Sequence, residues 1–214
     1  MEDSAYVYSD DIKYELLKII PKDGTTIGSI GCGYATTEAT LVASGRQVHG
    51  VDISIDAIEV ASQRLTSARV ITPDNRMPFD ENSLDGLILP DVLEHIPLAW
   101  EYLNEYTKMV KPGGWVVISV PNMRYLPVLA TLCVKGEWYE VPQGIFDKTH
   151  VQVMTHKRLM RWCHGANLSL ERWHDFYDYR FVWRNIYRVL NILTFRQLRS
   201  FTNIEILGVF RKNT

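Results

Sequence analysis

The sequence predicts an α/β protein: a doubly wound parallel sheet with helices on both faces, an α/β/α sandwich. Three observations carry this. An apolar run from Thr26 to Ile30 empties into Gly31-Cys32-Gly33 and then into a helix opening at Thr36-Thr37-Glu38. Strand-like and helix-like patterns then alternate, as parallel strands joined by crossover helices require. The second and fourth strands stop sharply at Asp52 and Pro90, leaving polar groups at one edge of the sheet. A strand, glycines and a helix N-terminus together expose unpaired backbone N–H groups to a ligand, which is a nucleotide-type pocket.

In chain order, residues before Asp10 read as a loose lead-in. Ile12, Leu16, Leu17 and Ile20 then recur at helical spacing until Pro21 and Gly24 stop the helix. After the glycine turn, a helix through Ala39, Leu41 and Val42 ends at Gly45, and Gln47 to Val51 forms the second strand, ending in Asp52. Ser54 is placed to cap a helix whose apolar stripe is Ile55, Ile58, Ala61 and Leu65. A short third strand, Arg69 to Thr72, precedes a loop with Pro73-Asp74-Asn75 and Met77-Pro78-Phe79, and Leu84 to Leu89 is a buried fourth strand. Beyond Pro97 a helix carries Trp100, Leu103, Tyr106 and Val110 inward; Lys111 to Gly114 turns the chain into a fifth strand, Trp115 to Val120.

Regular signals fade from Pro121 to Thr155, apart from a helical piece at Leu126 to Val134. A connection this long in a compact domain is usually functional, such as a lid or acceptor wall. Thr155 caps a helix ending near Gly165, Leu168 to Trp173 is a sixth strand, and Ile204 to Phe210 a seventh. Between them, residues 179–199 read as an amphipathic helix: Val182, Ile186, Val189, Leu190 and Leu193 on one side, Arg180, Arg184, Tyr187 and Asn191 opposite, Arg188 flanking. That helix suits either a solvated covering role or contact with an anionic substrate or membrane surface. The organisation expected is one domain, 1–214, with 121–155 and 179–199 as elaborations.

Composition narrows the classes. The 214 residues are 46% hydrophobic with a net charge of only −2, but 12 basic residues face 21 acidic ones through Thr155, against 11 and 4 afterwards. This gives no broad phosphate-binding footprint, and nucleic acid is not expected as a partner. Three cysteines without a pairing pattern, no basic leader before an apolar run, and no stretch near the roughly 20 apolar residues of a membrane span point to a reduced, cytoplasmic protein. Peripheral contact at the inner membrane face remains open through the basic C-terminal helix.

Asp52 lies at the tip of the second strand, 19 residues beyond Gly33. A carboxylate there can accept both hydroxyls of a ribose. NAD and S-adenosylmethionine pockets share this arrangement, so it does not choose between them. Thr36 stands where dinucleotide fingerprints have a third glycine or alanine, which counts against NAD.

Five motifs occur in order: Ile30-Gly31-Cys32-Gly33; Val51-Asp52-Ile53-Ser54; Pro73-Asp74-Asn75 before Met77-Pro78-Phe79; Asp91-Val92-Leu93-Glu94-His95-Ile96; and Val110-Lys111-Pro112-Gly113-Gly114. Over residues 25 to 120 the chain resembles the class I S-adenosylmethionine-dependent methyltransferases. The resemblance implies a Rossmann-like, seven-stranded, mostly parallel sheet whose last strand is antiparallel. It puts Gly31, Cys32 and Gly33 at the cofactor's amino-acid moiety, Asp52 at the ribose, Ile53 against the adenine, and Asp74 and Asn75 at the adenine amino edge. Leu89, Pro90 and Asp91 would lie near the methionine part and the transferred methyl. Two residues depart from the pattern: Ser29 replaces an acidic residue and could weaken the hold on the cofactor's ammonium, and Ala35 replaces a frequent glycine.

A narrower resemblance covers Gly144 to Val151, followed by Met154-Thr155 and Leu159. It is similar to a segment of methyltransferases associated with cell-surface polysaccharide and glycolipid assembly, and implies a saccharide or glycan hydroxyl, perhaps lipid-linked, as acceptor. His150, with an ordinary imidazole pKa of about 6.5, is then the expected general base, with Asp147 orienting it or capping the loop. His95 either lines the acceptor pocket or ties down its loop, and Asp91 and Glu94 are candidates for acceptor contacts. A small metabolite, phenol or quinone precursor is the alternative acceptor, and a non-catalytic cofactor-binding module the alternative of another class. No metal is expected, since His95, His150 and Asp147 lack tight ligand spacing.

Overall fold

The computed structural model describes residues 8–176, 189, 192–194 and 198–214. Among them a seven-stranded sheet runs in the order β3-β2-β1-β4-β5-β7-β6. The strands are β1 (Thr26–Ile30), β2 (Gln47–Asp52), β3 (Ser67–Val70), β4 (Leu84–Pro90), β5 (Val110–Pro121), β6 (Leu168–Phe176) and β7 (Glu205–Lys212). Pairs β1–β2, β1–β4, β2–β3 and β4–β5 are parallel, and β7 enters antiparallel to β5 and β6. This is the architecture the resemblance implies.

Helices α1 (Tyr14–Ile19), α2 (Thr36–Ala43) and α3 (Ile55–Ala61) bring Leu16, Leu41 and Ile58 into one apolar cluster with Ile27, Val48 and Trp115. Helices α4 (Ala99–Met109) and α6 (His156–Gly165) bring Leu103 and Leu159 into another with Leu87, Leu89 and Phe210. Both faces of the sheet are therefore covered. Short helix α5 (Leu126–Ala130) lies within the 121–155 connection, and α7 (Arg199–Thr202) precedes β7.

The expected caps form. Ser54 Oγ accepts from Ala57 N at 3.2 Å and Thr155 Oγ1 from Arg158 N at 3.2 Å. Other expectations shift. β3 begins two residues early, because its register is set by pairing His49 to Asp52 against Ser67 to Val70 rather than by its own apolar run. Ile55 and Trp100 do not face the core: they are 72% and 40% exposed. The Lys111 to Gly114 turn is absorbed into β5, with a register shift opposite Leu84 and Gly86. Most of the expected 179–199 helix, Arg180, Arg184 and Arg188 included, lies outside the described residues, while Val189 and Leu193 of its apolar side are exposed. Among the described residues no helix is long and apolar enough to cross a membrane, and all three cysteines are free.

Trp115 fixes the centre of the sheet. It is fully buried, and its indole N–H donates to the Asp23 carbonyl at 2.9 Å. Its ring lies over Gly86, its partner in β4, where a Cβ would come within 2.2 Å of the indole. Gly86→Ala is expected to lower stability by about 1–3 kcal/mol through overpacking, read as a shift in the chemical-denaturation midpoint; an unchanged midpoint would show that the ring can move aside.

Candidate active site

A cleft of about 850 Å³ opens at the C-terminal edge of the strands, over the β1/β4 crevice where the strand order reverses. Open α/β sheets bind ligands at such a switch point. Of the expected residues, Gly31, Cys32, Gly33, Asp52, Ile53, Asp74, Asn75, Pro90, Asp91, His95, Asp147 and His150 line it. Leu89 does not: it is fully buried in the core cluster, on a strand covered on both faces.

The glycine turn is built from the backbone outward. Gly31 and Gly33 have φ of 71° and 51°, a region glycine enters without steric cost. Ala35, which caps α2, also sits there at φ 56°, so the chain has placed a methyl where a glycine would be relaxed. Gly31 N and Cys32 N donate to the Val51 carbonyl at 2.9 and 3.2 Å, and Gly33 N donates to Asp52 Oδ2 at 2.8 Å. Asp52 Oδ1 accepts from Ser54 N at 3.0 Å and from the Tyr8 hydroxyl at 2.6 Å. The carboxylate is therefore already engaged on both oxygens, and accepting a diol requires the Tyr8 hydroxyl to leave.

Tyr8 belongs to a segment that local patterning gave as a loose lead-in. Residues 8–13 instead cross the mouth of the cleft. Arg64 holds Asp10 at 2.6 Å, Lys13 N donates to Thr37 Oγ1 at 2.9 Å, and the Lys13 ammonium pairs with Asp91. The Tyr8 ring covers Gly33, where a Cβ would lie 2.8 Å from it.

Ser29 does not leave its corner without an acid. Its hydroxyl donates to Glu38 Oε1 at 2.7 Å, and Glu38 is buried and lines the cleft. Burial pushes the Glu38 carboxyl above its ordinary pKa, opposed by the Ser29 hydroxyl. Glu38 is the one charged residue of the Thr36–Ala43 helix and sits in its first turn, which is the signal that marks it in the sequence.

Deeper in, Asp91 has φ 53°, strained for a non-glycine residue, and is held by Ser119: its amide donates to the Ser119 hydroxyl at 3.0 Å and carbonyl at 3.1 Å, and Ser119 Oγ donates to Asp91 Oδ1 at 2.7 Å. Burial works against the charged Asp91 carboxylate, but Lys13 and the bonds from Glu205 and Ser119 win, bringing its pKa to about 2. Glu94 and Glu205 go the other way, raised well above the ordinary value by burial and then by the Asp91 charge. Glu94 is 1% exposed and its Oε2 has no hydrogen-bond partner. Four carboxyl groups, Glu38, Asp91, Glu94 and Glu205, thus face the Lys13 ammonium in one cleft. Such a lining favours a ligand carrying positive charge.

The two histidines meet edge to face with ring centroids 4.8 Å apart. Burial lowers the pKa of each, so both are neutral at neutral pH. Asp147 does not orient His150 by a hydrogen bond; its Oδ1 accepts from Thr149 N at 2.8 Å and Thr149 Oγ1 at 2.6 Å. Thr149 Oγ1 in turn meets His95 Nδ1 at 2.9 Å. Glu94, His95 and His150 bring donor atoms within 4.8 Å of one another, a grouping their sequence spacing does not reveal.

Residues 29–118 match the family described as a methyltransferase domain. A ubiquinone biosynthesis O-methyltransferase of Hydrogenovibrio crunogenus is 26% identical over 156 residues, covering 70% of this chain and 64% of the relative, so the chain spans about two thirds of that protein's length. Among solved structures, a SAM-dependent methyltransferase from Archaeoglobus fulgidus aligns with a TM-score of 0.66 at 19% identity, over 93% of this chain and 92% of the other. One from Thermotoga maritima, described as a possible histamine N-methyltransferase, aligns at 0.64 and 16% identity, over 93% and 87%. These structural likenesses give the fold, and the family match gives the cofactor. The methyltransferase-domain match over residues 29–118 and the shared fold together support a class I S-adenosylmethionine-dependent methyltransferase.

Proposed function

We propose that the protein transfers the methyl group of S-adenosylmethionine to a hydroxyl of a small ring-bearing acceptor of the phenol or quinone-precursor class. The observation that carries the cofactor half is the acidic cleft. A bound S-adenosylmethionine brings an ammonium and a sulfonium into the space faced by Glu38, Asp91, Glu94 and Glu205. In this reading Gly31, Cys32 and Gly33 approach the amino-acid moiety, Glu38 supplies the acid that Ser29 lacks, and Asp52 takes the ribose. Ile53, 59% exposed beside the cleft, covers the adenine, with Asp74 and Asn75 at its edge. Pro90 and Asp91 bound the methyl-bearing end.

The cofactor supplies an already activated methyl. What the chain contributes is alignment of the acceptor oxygen at roughly 3–3.5 Å and a base for its proton, the latter worth typically about 10²–10⁴-fold. The O-methyltransferase activity for which the relatives are named supports a hydroxyl acceptor, and Ile145 and Phe176 in the lining suit a ring. A saccharide hydroxyl is the second reading, favoured by the Gly144 to Val151 segment, which contributes Gly144, Ile145, Asp147, Thr149 and His150 to the same cleft. Incubation with labelled S-adenosylmethionine and paired panels of phenols and sugars separates these by mass spectrometry. Product from phenols supports the first reading and product from sugars alone the second. Bound cofactor without S-adenosylhomocysteine would leave only a binding module.

Two variants test the cofactor assignment. Asp52→Ala should weaken S-adenosylhomocysteine binding about 10- to 100-fold, the cost of losing hydrogen bonds to a charged acceptor. Unchanged calorimetry in a folded variant would remove Asp52 from the ribose. Tyr8→Phe should tighten binding by about two- to tenfold, because the cofactor no longer displaces a hydroxyl from Asp52. Weaker binding would instead make the Tyr8 hydroxyl a cofactor contact.

A further inference from the structure

The acceptor's proton needs a nitrogen lone pair, and an imidazole offers one only on the ring atom that carries no hydrogen. Which atom that is depends on what the other nitrogen is bonded to. The hydroxyl of Thr149 has one hydrogen to give. It lies 2.6 Å from Asp147 Oδ1, an oxygen that also receives the Thr149 amide at 2.8 Å. With its hydrogen donated to that carboxylate, Thr149 Oγ1 can only accept from His95 Nδ1, 2.9 Å away. His95 is thereby held with its hydrogen on Nδ1 and its lone pair on Nε2.

His150 has no such side-chain relay; a backbone hydrogen bond at Ile145 acts on its ring instead. Its Nδ1 is buried without a hydrogen-bond partner, and its Nε2 is 4.0 Å from Glu94 Oε1, beyond hydrogen-bond reach. The residue that sequence reading favoured as base therefore has no carboxylate relayed to its ring through a hydroxyl, while its neighbour, with ring centroids 4.8 Å apart, does.

We propose that Thr149 is a positioning residue for methyl transfer: bridging Asp147 to His95, it selects the His95 tautomer whose Nε2 takes the proton of the acceptor hydroxyl. This rests on the hydroxyl-acceptor reading above. As the acceptor oxygen bonds to the methyl carbon and the carbon–sulfur bond breaks, the hydroxyl proton passes to His95 Nε2. The sulfonium becomes a neutral thioether and His95 an imidazolium, whose Nδ1–H is met by Thr149 and, through it, by the Asp147 carboxylate. The imidazolium then returns its proton to solvent. His150 serves as the wall that packs against this ring.

The tautomer can be read without turnover, from the nitrogen-15 shifts of the His95 ring in histidine-labelled protein. Wild type should show a protonated Nδ1 and a bare Nε2. Thr149→Val should erase that bias, and Thr149→Ser, which keeps the hydroxyl, should restore it. In turnover assays, Thr149→Val should lower kcat about tenfold or more with KM for the cofactor unchanged, His95→Ala should lose about 10²-fold or more, and Thr149→Ser should recover most of the loss. Hydrogen on Nε2 in wild type, or full kcat in folded Thr149→Val, overturns the proposal. If the His95 tautomer is as stated but no hydroxyl acceptor yields S-adenosylhomocysteine, the hydroxyl-acceptor reading fails and the base assignment with it, while the Thr149 bridge itself stands.

Discussion

The Asp52 carboxylate ties together three separate parts of the chain. Gly33 N comes from the turn after β1, Ser54 N from the cap of α3, and the Tyr8 hydroxyl from the segment ahead of α1. The first two bonds hold the glycine turn against the tip of β2, which keeps the floor of the cleft in shape. The third closes its mouth. One acidic side chain thus builds the pocket and, in the proposed reading, takes its ligand, which couples the pocket's shape to its occupancy through the Tyr8 contact.

The rest of the site follows from burying charge. Taking carboxyl groups out of water is costly unless they are paired or neutralised. Asp91 solves this with Lys13 and Ser119; for Glu94 and Glu205 burial and the Asp91 charge disfavour the ionised form, which raises their pKa values. Glu38 leans on Ser29. Positive charge entering such a cleft offsets that cost, because a cation beside a carboxyl group favours its ionised form. The strained backbone of Asp91, at the end of β4, belongs to the same pattern of cost concentrated at the site.

Much of this was legible along the chain. The glycine turn, Asp52, the Ser54 and Thr155 caps and the order of strands follow from apolar periodicity, turn chemistry and capping, all local signals. The residues that escaped are those placed by long-range contact. Tyr8 and Lys13 reach Asp52 and Asp91 across 44 and 78 residues, and no local pattern in a polar lead-in announces that it folds back. Asp147 was visible as a candidate, but its partner was not, because Thr149 and His95 are brought together by the path of the 121–155 connection. Trp100 and Ile55 were placed inward by helical spacing, and the real helices turn those positions to solvent. Leu89, which the resemblance implies lies near the cofactor's methionine part, keeps its side chain in the core because both faces of the sheet are covered.

In the proposed reading the acceptor meets the two histidines, the Thr149 bridge and the carboxyl cluster, and the donor meets the glycine turn. A crystal structure with S-adenosylhomocysteine bound tests the whole account most directly. The account predicts the ribose diol on the Asp52 carboxylate with the Tyr8 hydroxyl displaced, the ammonium within reach of Glu38, and the sulfur open toward His95. A nucleoside bound away from Asp52, or Tyr8 still on Asp52 with the ribose elsewhere, would contradict it.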